Sequence, residues 1–429
     1  MELAEEMTVH GAELPLLRHY REVRAQTEKL CRPLNAEDQM VQSCAEASPV
    51  KWHLAHSSWF FETFVLREFV PAYRDFDPDF HWLFNSYYRS LGEMPEKKLR
   101  ASFSRPPLES VLAYRKHVDE QIAQLLRHAP NDMAAKRIEL GLHHEQQHQE
   151  LIATDIKHAF WTNPLHPAYS SAEFTAAETA KEMQWLGYAG GLLEVGHSGY
   201  GFCFDNELPR HPAFLQPFRI ASRPVTCGEY LRFMEEDGYK RPELWLAEGW
   251  DTVEAQAWRS PLYWREIDGE WQIFTLHGWR SLHAMRETPV CHMSFFEADA
   301  YARWAGQRLP TEFEWESVAS LLPVEGNLLE SEKLHPDAAA ATAHDAPQQI
   351  FGDVWEWTQS PYTGYPGYHS LPGALGEYNG KFMSSQMVLR GGSCVTPQSH
   401  LRASYRNFFH PATRWQFSGI RLAQNAGSA

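Results

Sequence analysis

His143-His144-Glu145-Gln146-Gln147-His148-Gln149-Glu150 is the stretch on which the reading of this chain turns. Histidines at i and i+4 lie on one face of a helix, about one turn apart. That spacing lets the imidazoles of His144 and His148 reach one metal ion. A second cluster upstream, Trp52-His53-Leu54-Ala55-His56, offers a third nitrogen from His56 on another helix. Three neutral imidazoles with open positions suit Fe(II), Cu(II) or Zn(II) and leave room for a substrate and a small molecule such as oxygen. The plainer alternative is a set of exposed or core-edge helix histidines.

Outward from this run, residues 12 to about 160 read as helical. Leu14-Leu17-Tyr20-Val23 and Val111-Tyr114-Val118-Ile122-Leu125 repeat at three and four, the pattern of amphipathic helices. Arg137 through His158 continues as one long helix carrying the histidine pair. Between them, Pro71 to Pro107 is loop-rich and contains Phe84-Asn85-Ser86-Tyr87-Tyr88-Arg89. A four-helix bundle with a metal held between facing helices is the economical architecture. Residues 166–183, rich in Ala, Ser and Thr, read as a linker. From residue 184 to 429 glycine-rich turns, short apolar stretches and many tryptophans replace the helical period, with one clear helix from Phe295 to Gly306. The segment from Glu325 to Gln349 is expected to be an exposed loop.

The length of 429 residues exceeds one ordinary core, so two domains are expected: a bundle over 1–165 and a second domain over 184–429. A formal charge of −16 argues against a nucleic-acid partner, whose phosphates demand a basic surface. No apolar run approaches the ~18 residues of a membrane span, and the acidic start, Met-Glu-Leu-Ala-Glu-Glu, is unlike a signal peptide. The six cysteines are scattered without Cys-x-x-Cys spacing, as in a reduced cytoplasmic protein. Aromatic residues make up 13% of the chain, enough for a pocket that takes a flat or cationic ligand. The oligomeric state is left open.

With these features in hand, the motifs carry a family likeness. The first half resembles the DinB-like helical bundle. The second resembles the formylglycine-generating-enzyme, or sulfatase-modifying-factor, domain with its C-type-lectin-like fold. Its marks are Gly190-Gly191, Asp205-Asn206-Glu207, Arg308-Leu309-Pro310-Thr311-Glu312, Gly352-Asp353-Val354-Trp355-Glu356-Trp357-Thr358 and Arg390-Gly391-Gly392-Ser393. Joined in this order, with His-Leu-Ala-His and the histidine-rich run, they look like the ergothioneine-type sulfoxide synthases. The fold class that follows is a multidomain α+β protein, a four-helix bundle followed by a C-type-lectin-like domain.

The resemblance implies a mononuclear non-heme Fe(II) enzyme whose ligands map onto His56, His144 and His148, with O2 as co-substrate. It implies hercynine, the trimethylbetaine of histidine, as substrate, its imidazole C2 becoming bonded to a chalcogen. Glu150 lies only two residues from His148 and is read as a supporting acid, not a ligand. A phenol is a suitable proton source, and the role is assigned to Tyr88 with Tyr87 beside it. Gln147 is expected to hydrogen-bond the substrate imidazole. A quaternary ammonium donates no hydrogen bond and favours aromatic faces. Phe408, Phe409, Trp415 and Phe417 are therefore expected to form a cage, with Asn407 binding the carboxylate.

Two departures from the family pattern matter. Where formylglycine-generating enzymes carry a reactive cysteine, this chain has Leu401, so peptide-cysteine oxidation is not expected. The arginine-rich loop that suits a cysteine carboxylate is replaced by Gly92-Glu93-Met94-Pro95-Glu96-Lys97-Lys98-Leu99-Arg100. Lysine offers a point charge where arginine offers a fork. With Lys97 and Arg100 as the donor-binding residues, this mixed loop suits a neutral polyhydroxylated donor and points to the selenoneine-synthase branch, which joins hercynine to a seleno-sugar. Cysteine or γ-glutamylcysteine as a thiol donor is the alternative. A divalent-metal thiol transferase of the DinB type is a remoter one.

Overall fold

The computed structural model describes residues 14–128, 130–172, 182–340 and 346–426. Four long helices form the N-terminal part: α1 (Pro15–Cys31), α2 (Val50–Phe61) and, after the short α3 (Arg67–Phe69) and α4 (Phe80–Leu83), α5 (Leu108–Arg127) and α6 (Asp132–Thr162). Prolines set three of the starts: Pro15 occupies the first turn of α1, and Pro49 and Pro107 stand just before α2 and α5. Asn131 caps α6, its side chain accepting from the Ala134 N–H at 2.9 Å. Helix α1 packs on α6, and α2 packs between α5 and α6. The approach of α2 to α6 depends on Gly141, where a Cβ would stand 2.4 Å from a ring carbon of Phe61. Three residues further along α6 comes His144, so this close crossing is what presents the histidines to α2.

The expected stripe of α5 is buried at Val111, Tyr114, Val118 and Ile122. Leu14 lies outside α1 and is exposed. The region from residue 71 to 107 is loop with short helical pieces of one or two turns.

Strands dominate from residue 185. β1 (Trp185–Tyr188), β4 (Phe218–Ala221) and β14 (Ala423–Asn425) make one antiparallel sheet of order β1-β4-β14, so the first and last strands flank β4. β2 (Gly191–Val195) pairs with β3 (His211–Leu215), and β5 (Trp264–Ile267), β6 (Glu270–Thr275) and β7 (Gly278–Ser281) form a meander. β8 (Gly326–Asn327) pairs with β9 (Phe351–Gly352). A four-stranded sheet of order β12-β11-β10-β13 unites β10 (Trp355–Pro361), β11 (Met387–Arg390), β12 (Asn407–Phe409) and β13 (Ser418–Gly419).

The sequence motifs of this half prove to be buried scaffolding. Glu312 accepts from Arg390 Nη2 at 2.8 Å and from Arg406 Nε at 2.8 Å. Glu356 accepts from Arg421 Nε at 2.8 Å and from Trp315 Nε1 at 2.7 Å. All are buried, and pairing is what makes their burial tolerable. The helix expected from Phe295 runs Phe295–Trp304, started by a Ser294–Glu297 capping box.

Two expectations need correction. The segment 325–349 is not simply exposed: Leu328, Leu329, Leu334, His335 and Ala339 are buried, because the β8–β9 pair ties its ends into the core. Its residues 341–345 lie outside the described residues. The start of the expected linker is docked, with Tyr169 donating its N–H to the Leu276 carbonyl at 2.9 Å and its hydroxyl to the Leu30 carbonyl at 2.8 Å. Residues 173–181 of that linker lie outside the described residues.

Candidate metal centre

The polar run of α6 is buried on several sides, and each side meets different partners. Glu145 and Gln149 face α1 and α5. Glu145 accepts from Arg24 Nη1 at 2.7 Å, Arg115 Nη2 at 2.6 Å and Thr27 Oγ1 at 2.6 Å, while Gln149 Nε2 donates to the Val23 carbonyl at 2.8 Å. Burial pushes the Glu145 carboxyl up, but the guanidiniums of Arg115 and Arg24 outweigh it and hold the group down at about 2. His143, Gln146 and Glu150 face the C-terminal half. His143 Nδ1 lies 3.0 Å from His400 Nδ1, and Gln146 Nε2 donates to Ser399 Oγ at 2.6 Å. Glu150 accepts from Trp355 Nε1 at 2.5 Å and Thr396 Oγ1 at 2.6 Å, and burial pushes it up to about 7. Its oxygens thus tie the two halves of the chain together.

His144 and His148 are left for α2. With His56 they bring one ring nitrogen each to within 4.8 Å of one another, all three residues buried. His144 Nε2 and His148 Nε2 stand 3.2 Å apart. Two nitrogens bound to one metal at about 2.0–2.1 Å, at octahedral to tetrahedral angles, are separated by about 2.9–3.4 Å. His56 donates Nδ1–H to the Phe84 carbonyl at 2.7 Å, which leaves Nε2 as its lone pair. That Nε2 is buried without a hydrogen-bond partner among the described residues. Ring packing fixes the direction: His56 is stacked between Trp52 at 4.4 Å and Trp59 at 5.2 Å, and His144 lies on Phe60 at 4.5 Å.

Burial lowers all three imidazoles below their usual range, His144 to about 3, and neighbouring histidines lower them further. Unprotonated rings are the form a metal requires. This donor set fits a borderline dication such as Fe(II), Cu(II) or Zn(II), and the geometry alone does not choose among them.

The cluster opens on a cavity of about 480 Å³ between the helical and strand-rich halves. Tyr87, Gln147, Asn407, Phe408 and Phe409 line it, as do Lys97 and Arg100. Asn407 Oδ1 accepts from the Phe408 N–H at 2.8 Å, which leaves its amide nitrogen as a donor for a ligand. Gln147 is held at both ends of its amide: its Nε2 donates to Tyr405 Oη at 2.7 Å and its Oε1 accepts from Tyr378 Oη. One N–H and one carbonyl lone pair of this amide remain for a ligand.

Three expected site residues fall elsewhere. Phe417 is fully buried in the core against His292, with Lys157 Nζ 4.8 Å from its ring centroid, because β13 turns it away from the cavity. Trp415 stands behind Phe409 and donates Nε1–H to Asp155 Oδ1 at 2.9 Å. Tyr88 is fully buried and packs on Trp59 and Phe64, a layer behind Tyr87. The acidic residues of the donor loop also miss the cavity: Glu93 is exposed, and Glu96 pairs with Lys98 at 2.6 Å on the surface.

Sequence reasoning missed Tyr378, whose ring centroid is 5.8 Å from that of His144. It sits in Gly376-Glu377-Tyr378-Asn379-Gly380, a non-periodic stretch that gives no signal. Trp52 and Asp155 carried one. Trp52 adjoins the His-Leu-Ala-His motif, and Asp155 lies two helical turns beyond His148 on the same face. Arg100 has an unusual setting. It is buried, its guanidinium carbon is 3.5 Å from the Trp52 ring centroid, and it donates to Ser48 Oγ at 2.8 Å and Ser86 Oγ at 3.0 Å. It forms no ion pair among the described residues, and burial lowers it to about 9.

Comparison with known proteins matches residues 170–344 and 347–426 to the sulfatase-modifying factor enzyme 1-like domain. The chain is 31% identical to hercynine oxygenase of Mycolicibacterium smegmatis, over 88% of this chain and 91% of that protein. It is equally similar, at 31%, to hercynine oxygenase of Mycobacterium tuberculosis, with the same coverage of 88% and 91%. The formylglycine-generating enzyme of Streptomyces coelicolor is 27% identical over 61% of this chain and 95% of that protein.

Proposed function

The chain belongs to the hercynine oxygenase family and carries its sulfatase-modifying factor domain, and from that premise we propose that it joins a chalcogen to the imidazole C2 of hercynine with O2 as oxidant. The observation that carries this reading is the buried three-histidine cluster opening on an aromatic cavity between the two halves of the chain. Fe(II) bound by His56, His144 and His148 would supply vacant positions and the electrons that oxygen chemistry needs. The protein's own part is to bind, orient and protonate. Phe408, Phe409 and Phe382 offer faces to a trimethylammonium group, and the Asn407 amide suits its carboxylate. Holding both substrates beside the metal replaces a three-body encounter with a positioned one.

The proton donor is assigned to Tyr378, in place of Tyr88. Its ring lies against His144, and burial keeps its hydroxyl protonated well above the usual range. Tyr378→Phe is expected to lower turnover about 10²–10³-fold with metal content unchanged. Tyr88→Phe is expected to change it less than about tenfold, since Tyr88 stands behind the cavity wall. Single-turnover product formation measured beside metal analysis tests this, and a Tyr88→Phe enzyme slower than Tyr378→Phe would return the role to Tyr88.

For the donor, the rim formed by Glu46, Ser48, Ser86 and Lys97 mixes hydrogen-bond donors and acceptors, which favours a polyhydroxylated seleno-sugar and C–Se bond formation. A second reading, cysteine or γ-glutamylcysteine with C–S bond formation, is favoured by the buried Arg100, which donates to two serine hydroxyls and forms no ion pair among the described residues, a natural seat for a carboxylate. The deciding experiment is aerobic competition on Fe(II)-loaded protein with hercynine, 1-seleno-N-acetylglucosamine, cysteine and γ-glutamylcysteine, read by mass spectrometry. A hercynyl–selenium product supports the first reading and a hercynyl sulfoxide the second. No oxygen-dependent product from any donor would defeat the proposed function.

A further inference from the structure

We propose that Trp415, Asp155 and His53 form a positioning chain that fixes the tautomer and direction of His148, so that the strand-rich half of the protein sets the metal affinity of a site built on the helices. The proposal rests on the reading of His148 as a ligand. Its basis is a run of four buried side chains. Trp415 Nε1 donates to Asp155 Oδ1 at 2.9 Å. Asp155 Oδ2 lies 3.0 Å from His53 Nε2 and also accepts from the Ser48 N–H at 2.8 Å. His53 Nδ1 lies 2.7 Å from His148 Nδ1. Trp415, Asp155, His53 and His148 are 7%, 4%, 2% and 7% exposed, so little solvent reaches these bonds.

Connectivity then dictates where each proton sits. A carboxylate only accepts, so His53 gives it the Nε2–H. A neutral His53 has one N–H, so its Nδ1 must accept, and His148 must supply the Nδ1–H. That leaves the His148 lone pair on Nε2, the nitrogen 3.2 Å from His144 Nε2. Reversal of any one link would turn an N–H toward the centre of the cluster. Helix α2 gives the positioning residue His53 beside the ligand His56, and α6 gives Asp155 beside the ligands His144 and His148. His56 is oriented differently, by a backbone carbonyl. Trp415 is the connection to the second half, and its indole N–H stops the Asp155 carboxylate from rotating away from His53.

The test uses the full chain, stripped of metal, and Co(II) alone as probe, with binding followed by the visible absorption of bound Co(II). Asp155→Asn puts an amide N–H2 among three donors and is expected to weaken Co(II) binding about 10–100-fold and to shift the band, as losses of outer ligand partners do. Trp415→Phe, which keeps the ring and deletes only the N–H, is expected to weaken it about three- to tenfold. The double variant should be no weaker than Asp155→Asn, because both changes act on one chain. Thermal unfolding of the metal-free proteins is recorded in parallel. Unchanged affinity and spectrum in a folded Trp415→Phe protein would overturn the proposal. So would an affinity loss that merely tracks lost stability with the band unmoved. His148→Ala separates the two levels: if it also binds Co(II) as wild type, the ligand reading has failed, and if it alone loses Co(II), only the positioning chain has.

Discussion

Replacing His148 by alanine is expected to remove the bound metal and all oxygen-dependent product while leaving the helices formed. The cluster has three nitrogens, two of them 3.2 Å apart, and open positions are needed for substrates. Loss of one ligand leaves a two-histidine site, which loses the chelate provided by the i, i+4 pair on α6. The change also strips His53 Nδ1 of its partner, at a cost of about 1–3 kcal/mol for an unsatisfied buried group. Helix α6 itself is held by other contacts, through Glu145 to α1 and α5 and through Glu150 to Trp355 and Thr396. Metal content by elemental analysis, product by mass spectrometry and far-ultraviolet circular dichroism together check this. A variant that keeps stoichiometric metal and turns over would remove His148 from the ligand set.

Glu145→Ala should be the most destabilising single change in the helical half, by about 3–5 kcal/mol. It would leave Arg24 and Arg115, which are 3% and 1% exposed, without their shared carboxylate deep between helices. Arg24 would keep Asp119 at 2.6 Å, while the remaining carboxylate near Arg115, Glu28, is half exposed and 3.6 Å away. A pH dependence follows with a definite sign. The folded-state value of Glu145 is depressed, at about 2 against an ordinary 4.5. The wild type therefore has this group's full stabilisation above pH 4.5 and loses it as pH falls toward 2, a change of roughly 3 kcal/mol. Urea unfolding of the metal-free protein between about pH 6 and pH 2.5 should show this loss in the wild type and a flatter profile in Glu145→Ala. Equal urea midpoints for the two proteins at about pH 6 would show that the buried arginines find other compensation.

These two residues sit three apart in one octapeptide, and their different duties illustrate how a polar helix is used when all of it is buried. The ligand face looks to α2, the ion-paired face holds the bundle together, and the third face takes the C-terminal half. The donor loop illustrates the opposite case. Its composition alone favoured a mixed acidic and basic lining, yet Glu93 and Glu96 are turned to solvent and only Lys97 and Arg100 reach the cavity.

What the sequence determined by itself is what covalent geometry and local periodicity dictate. Helical spacing alone puts His144 and His148 on one face, and period three and four marks the buried stripe of α5. The change of character after residue 184 separates helices from strands, and the motif set points to the family. Which residues share the cavity was decided only by tertiary packing. Tyr378 meets Gln147 across 231 positions, Trp355 meets Glu150 across 205, and Trp415 meets Asp155 across 260. Nothing local encodes such pairs, because each depends on how two separately folded surfaces seat against one another. The same reason removed Phe417 from the expected cage and placed Trp415 behind it: β13 and the residues before it follow the strand-rich core, and their side chains point where that core, not the ligand, requires.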